Sequence, residues 1–268
     1  MEPRCLEIFF YWSGMELNHH VVNVLPFGET NGRNEEWLKN TLYQHPELLP
    51  VVDIDPAYGP LTPFCVELQV PGAGRLDIAF INPFGRLTFV ECKLWRNPQS
   101  RREVVAQVLD YARSVSRWSY SDLQRQVANA TGRTGNVPFE LARMNHPNLV
   151  EQDFVDATSA SLRAGRFLLL IAGDGIREDV GAMSELINNN AAMGFWFGLV
   201  EVALYGFEDG ALAIQPRTIA KTRIIEKTVV VLRDGSGAPV ATDVEMPSFE
   251  TELSTTSRSR SNEGEKQA

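Results

Sequence analysis

Three residues of this sequence have types and spacing suited to chemistry: Asp77, Glu91 and Lys93. They fall in the stretch GRLDIAFINPFGRLTFVECKLWRNPQSRREVVAQVLDY, Gly74 to Tyr111. Two apolar runs, Leu76–Ile81 and Leu87–Val90, flank a turn at Asn82-Pro83-Phe84-Gly85. Short runs rich in branched and aromatic residues, bounded by Asn, Pro and Gly, signal a β-hairpin. The first run carries Asp77; the second ends in Glu91-Cys92-Lys93. A hairpin register would bring Asp77 and Glu91 to one end of a sheet, with Lys93 on the same face as Glu91. Two carboxylates and an ammonium converging there predict a divalent-cation site with a neighbouring cation. The plainer alternative pairs Asp77 and Glu91 with Arg75 and Lys93 as surface salt bridges.

The elements that would position these residues can be read around them. A helix is expected from Asn34, which can cap it, with Glu35 and Glu36 at its positive end and an apolar stripe of Trp37, Leu38 and Leu42. Residues 51–63 carry three prolines and turn residues and read as loop. Phe64–Val70 alternates as a strand, so three strands in sequence predict an antiparallel meander. Glu67 on the first of them is either a further ligand or an exposed edge carboxylate, with the second reading preferred. Ser100 and Glu103 have the spacing of a capping box and open a helix expected to run to about Trp118. Gln107 and Tyr111, four apart, share one face of it. An irregular helical insertion is expected over 119–164, then a fully buried strand at Phe167–Ala172. A helix through Met183–Asn190 and strands at Phe195–Tyr205, Leu212–Gln215 and Ile224–Leu232 follow. The adjacent His19 and His20 would point to opposite faces of a strand, which argues against a shared metal.

This order of elements and residues resembles the PD-(D/E)XK nuclease superfamily, in its RecB-type and Holliday-junction-resolvase-like branches. The resemblance spans about Asn34 to Ala112, under a third of the chain. It rests on Glu35 in the first helix, Asp77 in GRLD, Glu91 and Lys93 in ECK, and Gln107 and Tyr111 in QVLDY. It implies a restriction-endonuclease-like α/β core, α-β-β-β-α-β, whose central mixed sheet is flanked by helices, with a β-rich C-terminal extension. It also implies metal-dependent hydrolysis of DNA phosphodiesters, endo- or exonucleolytic, in repair or in defence against foreign DNA. Mg²⁺ or Mn²⁺ would be held by Asp77, Glu91 and the backbone carbonyl of Cys92. Lys93 would orient or deprotonate the attacking water, Glu35 would hold a water on the ion, and Gln107 and Tyr111 would position the substrate phosphate or Lys93. The three scattered cysteines, Cys5, Cys65 and Cys92, lack the clustering of the iron–sulfur members, so no cluster is expected.

Composition is consistent with such a partner only by its distribution. The net charge is −9, yet Arg75 to Arg143 holds eleven cations against six anions, net +5, which leaves −14 on the rest. Ten of those eleven cations are arginine, a side chain suited to phosphate. DNA is therefore the expected partner; RNA stays open, because the groove and not the motif decides. The acidic remainder favours an alternative in which the nuclease fold survives without turnover, as a DNA-binding or partner-docking module. No apolar run reaches the ~20 residues that span a bilayer, and sparse cysteines suit the reducing cytoplasm. The expected organisation is an N-terminal arm at 1–28, a nuclease-like core at 29–193, a β-rich extension at 194–246 and a disordered tail at 247–268. Met15 is a second candidate start. The β-rich end either completes the core sheet or forms a homodimer contact.

Overall fold

The computed structural model describes residues 5–10, 18–28, 31–94, 98–175, 195–207, 210–224 and 249–253. In chain order the elements are β1 Cys5–Phe10, β2 Asn18–Leu25, α1 Glu35–Gln44, α2 Val51–Ile54, β3 Thr62–Val70, β4 Gly74–Ile81, β5 Leu87–Cys92, α3 Pro98–Val115, α4 Tyr120–Thr131, α5 Val137–Asn145, α6 Glu151–Arg163, β6 Phe167–Gly173, β7 Trp196–Gly206, β8 Leu212–Ile224 and β9 Phe249–Leu253. Turns of 3-10 helix at Pro46–Leu48 and Pro56–Tyr58 flank α2. The strands form one open mixed sheet with helices on both faces, an α/β architecture. No helix among the described residues is long and apolar enough to cross a membrane.

β3, β4 and β5 make the expected antiparallel meander, and β6 and then β7 add in parallel beside β5. β8 runs antiparallel along the other edge of β7 and takes β9 beyond it. Past the end of β6, residues 204–206 of β7 pair residues 23–25 of β2, which carries β1. The central strands are buried on both faces because helices cover both. Ala79, Ile81, Phe89, Leu169 and Ile171 pack under α3 to α6, while Ile78, Phe80, Val90, Leu168 and Leu170 pack under α1 and α2. α1 is fixed by Leu38 and Leu42, both fully buried, each contributing about 2 kcal/mol.

The β4–β5 turn sets the register that matters most here. Asn82 is fully buried. Its Oδ1 accepts from the Phe84 and Arg86 amides at 3.0 and 2.9 Å, and its Nδ2 donates to the Ala57 carbonyl at 2.9 Å. Gly85, at φ +68°, lies so close to α6 that an added Cβ would stand 2.4 Å from the Thr158 nitrogen. The turn is thus pinned from both faces of the sheet.

Several expectations are corrected. Residues 51–63 are not simply loop: they hold α2 and a 3-10 turn, and β3 begins at Thr62, before Pro63. That proline is tolerated because β3 is an edge strand with a bulge between Pro63 and Cys65. α3 starts at Pro98, so Ser100 lies inside the helix and is not its cap; proline favours the first helical position. The 119–164 segment is regular: α4 opens with a Ser119–Asp122 capping box and ends at Gly132 in the left-handed region, and α5 and α6 follow. β8 continues through Pro216 to Ile224. β1 and β2 join the sheet instead of standing apart as an arm. Residues 249–253 of the expected disordered tail form β9. Met15, the 183–190 helix and the 225–232 part of the last expected strand lie outside the described residues, as do the side chains of His19 and His20.

Candidate active site

Asp77 and Glu91 come together where β4 and β5 part. The ladder pairs Ile81 with Leu87 and Ile78 with Val90, and one step further the same register sets Asp77 opposite Glu91. The ladder ends here because side chains replace it. The Cys92 amide donates to Asp77 Oδ2 at 2.8 Å. The Asp77 amide lies against the Glu91 carboxylate. Neither acid pairs with Arg75 or Lys93 as a surface salt bridge would require. Arg75 reaches Glu67 at 3.5 Å and Lys93 reaches Glu35 at 2.9 Å.

Burial governs the electrostatics of the pair. Burial pushes the Glu91 carboxyl up to about 8, and the neighbouring Asp77 charge adds to the rise. Burial likewise raises Asp77 to about 6, against the Cys92 amide and the Lys39 charge, which pull it down. Glu91 Oε2 is buried and has no hydrogen-bond partner. A buried carboxylate oxygen without a partner is costly unless a proton or cation satisfies it.

α1 roofs this pair. Asn34 caps the helix by accepting from the Trp37 amide at 2.9 Å, which turns Glu35 toward the sheet. Glu35 accepts from the Leu94 amide at 3.1 Å and from Lys93 Nζ at 3.1 Å. The Lys93 amide donates to the Ala172 carbonyl at 2.8 Å, so both its backbone and its ammonium are held. Asn34, Glu35, Glu36, Lys39 and Asp77 line a cavity of about 290 Å³.

Gln107 and Tyr111 do share a helix face, with the Gln107 amide donating to the Tyr111 hydroxyl at 2.5 Å. Tyr111 is fully buried, and its hydroxyl donates to the Arg75 carbonyl at 2.7 Å. Burial raises its pKa, and the nearby Glu91 and Asp77 charges add to the rise. Tyr111 fixes the start of β4, two residues before Asp77. Cys92 is buried, and burial raises its thiol well above the usual range, which disfavours a thiolate nucleophile.

Lys39 escaped the sequence reading, and so did its bond to Glu67. Lys39 is only 7% exposed. It pairs with Glu36 at 2.5 Å and with Glu67 on β3. Glu67 faces Asp77 across the β3–β4 ladder, between the Val66–Ile78 and Leu68–Leu76 pairs. At φ 54° it is the one non-glycine residue among those described in the left-handed region. The usable signal was the four-residue step from Glu35 to Lys39, which puts both on one face of α1.

Whether these residues suit a metal turns on their donors. Among the described residues no group of three or more His, Cys, Asp or Glu side chains forms a metal cluster. The Asp77–Glu91 pair, with its free buried oxygen, nonetheless fits a hard divalent ion that binds few carboxylates and keeps several waters. Compared with protein-family models, with curated proteins and with solved structures, the chain matches none.

Proposed function

We propose that this protein is a divalent-metal-dependent nuclease of the PD-(D/E)XK kind that hydrolyses phosphodiester bonds of DNA. α1, β3 to β5, α3 and β6 would form its restriction-endonuclease-like core, with β7 to β9 as the β-rich extension. The observation that carries the reading is the cross-strand Asp77–Glu91 pair with Glu91 Oε2 buried and unpartnered, one strand-end from Lys93. A helix, an antiparallel meander, a helix and a parallel strand in that order support it.

Asp77 and Glu91, with the Cys92 carbonyl, would hold Mg²⁺ or Mn²⁺. The ion would supply charge neutralisation at the phosphate and a more acidic water. Lys93, anchored by Glu35, offers its ammonium to the attacking water and to charge growing on the phosphate oxygens. The water oxygen bonds to phosphorus and gives up one proton, the bond from phosphorus to the leaving sugar oxygen breaks, and that oxygen takes up one proton, so none is gained or lost overall. Tyr111, bonded to Gln107 and to the Arg75 carbonyl, fixes the start of β4, and the two side chains would position the substrate phosphate or Lys93. The arginine-rich 75–143 segment supplies cations for the nucleic-acid backbone. A cytoplasmic role in repair or in defence against foreign DNA accords with this reading.

The test is cleavage of supercoiled plasmid and of single-stranded DNA with Mg²⁺ or with EDTA. Mg²⁺-dependent cleavage is expected, reduced at least about 100-fold by Lys93→Ala. A Lys93→Ala protein that cuts as well as wild type contradicts the mechanism. Salt-sensitive DNA binding with no cleavage by the wild type would favour a binding module on the same fold.

A further inference from the structure

Lys39 is a buried ammonium in the wall of the cavity that holds Asp77. Burial alone would lower its pKa, yet Glu36 and Glu67 hold it above the usual lysine range, so it stays charged. Burying a charge is costly unless partners satisfy it, and such groups concentrate at functional sites. Its partner Glu67 keeps a left-handed backbone to make the contact, a conformation that costs about 1 kcal/mol or more for a residue with a Cβ.

The layout gives that arrangement a purpose. Glu35 and Lys39 stand one turn apart on α1. Glu35 reaches the exit of β5, through Lys93 and Leu94, and Lys39 reaches β3, through Glu67. Between these two strands runs β4 with Asp77. Around Asp77 the carboxylates of Glu35, Glu36, Glu67 and Glu91 are met by two ammonium groups, Lys39 and Lys93, and by the Arg75 guanidinium on Glu67. A divalent ion would leave the ionised cluster close to neutral. Without Lys39 a negative charge would remain, and an anionic phosphodiester would be repelled.

We propose that Lys39 is the internal counter-ion of this site, a positioning residue that holds Glu36 and Glu67 and sets the balance between cation binding and phosphate binding. The proposal rests on the nuclease reading of Asp77 and Glu91. It gives an electrostatic signature with opposite signs for the two ligands, which a purely structural lysine would not produce. Removing the Lys39 charge strengthens the attraction for a cation and weakens it for DNA; removing the Glu67 charge does the reverse.

The experiment measures Mn²⁺ binding by calorimetry and binding of a short labelled DNA duplex in EDTA. Lys39→Gln is expected to bind Mn²⁺ about three- to tenfold more tightly and the duplex more weakly by a similar factor, the scale of one unit charge acting across a solvated cleft. Lys39→Arg, which keeps the charge, stays near wild type for both. Lys39→Gln with unchanged or weaker Mn²⁺ binding overturns the proposal. Should Lys39→Gln fail to fold, Glu67→Gln carries the test: weaker Mn²⁺ and tighter duplex binding support the proposal, and no shift overturns it. A wild type that binds no Mn²⁺ removes the nuclease reading and this proposal together. A wild type that binds Mn²⁺, with no shift in the variants, removes this proposal alone.

Discussion

At the scale of single residues, the site depends on two acids held at a cost. Glu91 and Asp77 sit where burial disfavours their charged forms, and each lies close to the other. The folded pKa of Glu91 is raised from 4.5 to about 8, so between those values the folded state binds more protons than the unfolded one. Stability from this group is fully present below pH ~4.5 and is lost as pH rises through about 8. In EDTA the protein should therefore be less stable at pH 8.5 than at pH 6, by roughly a few kcal/mol. Glu91→Gln should flatten that slope and stabilise the protein at high pH, as measured by urea denaturation across pH. A wild-type slope of opposite sign, or one that Glu91→Gln leaves intact, contradicts this account of the pair. The acids and Lys93 were legible because strand alternation and a turn fix which residues meet. Lys39 and its contact with Glu67 were not, because that contact joins residues 28 apart through a backbone angle that no local pattern announces. Tyr111 was legible in its position and not in its bond to the Arg75 carbonyl, since spacing along a helix does not say which backbone group a hydroxyl meets.

At the scale of elements, the β4–β5 turn decides whether Asp77 meets Glu91, since a one-residue slip would send every side chain to the other face. Gly85 cannot carry a side chain without striking the Thr158 backbone, and its φ is positive. Gly85→Ala should cost about 2 kcal/mol or more, read as a lower urea midpoint; an unchanged midpoint would show that the turn is not clamped by α6. The meander and the buried β6 strand were readable because apolar runs and turn residues are local signals. α2 was hidden by flanking prolines, and it packs where Gly198 of β7 leaves room for Ile54. α6 was blurred because its buried face carries Thr158 and Ser161. Thr158 satisfies its hydroxyl on the Phe154 carbonyl at 2.7 Å, so a polar residue stands where periodicity expects an apolar one.

At the scale of the whole molecule, the sheet and α1 bring carboxylates and ammonium groups from four elements to one place: Glu35, Glu36 and Lys39 on α1, Glu67 on β3, Asp77 on β4 and Glu91 on β5, with Lys93 just beyond it. α4 and α5 pack against β3, covering an edge strand that would otherwise invite pairing. α1 spans the strand ends as a roof. All of this serves one claim, that Asp77 and Glu91 share a cation. The most direct measurement is anomalous diffraction from a crystal soaked in Mn²⁺. The account predicts a single strong peak in contact with carboxylate oxygens of both Asp77 and Glu91, Glu91 Oε2 included. Mn²⁺ bound elsewhere on the protein, with no peak between those two acids, would contradict it.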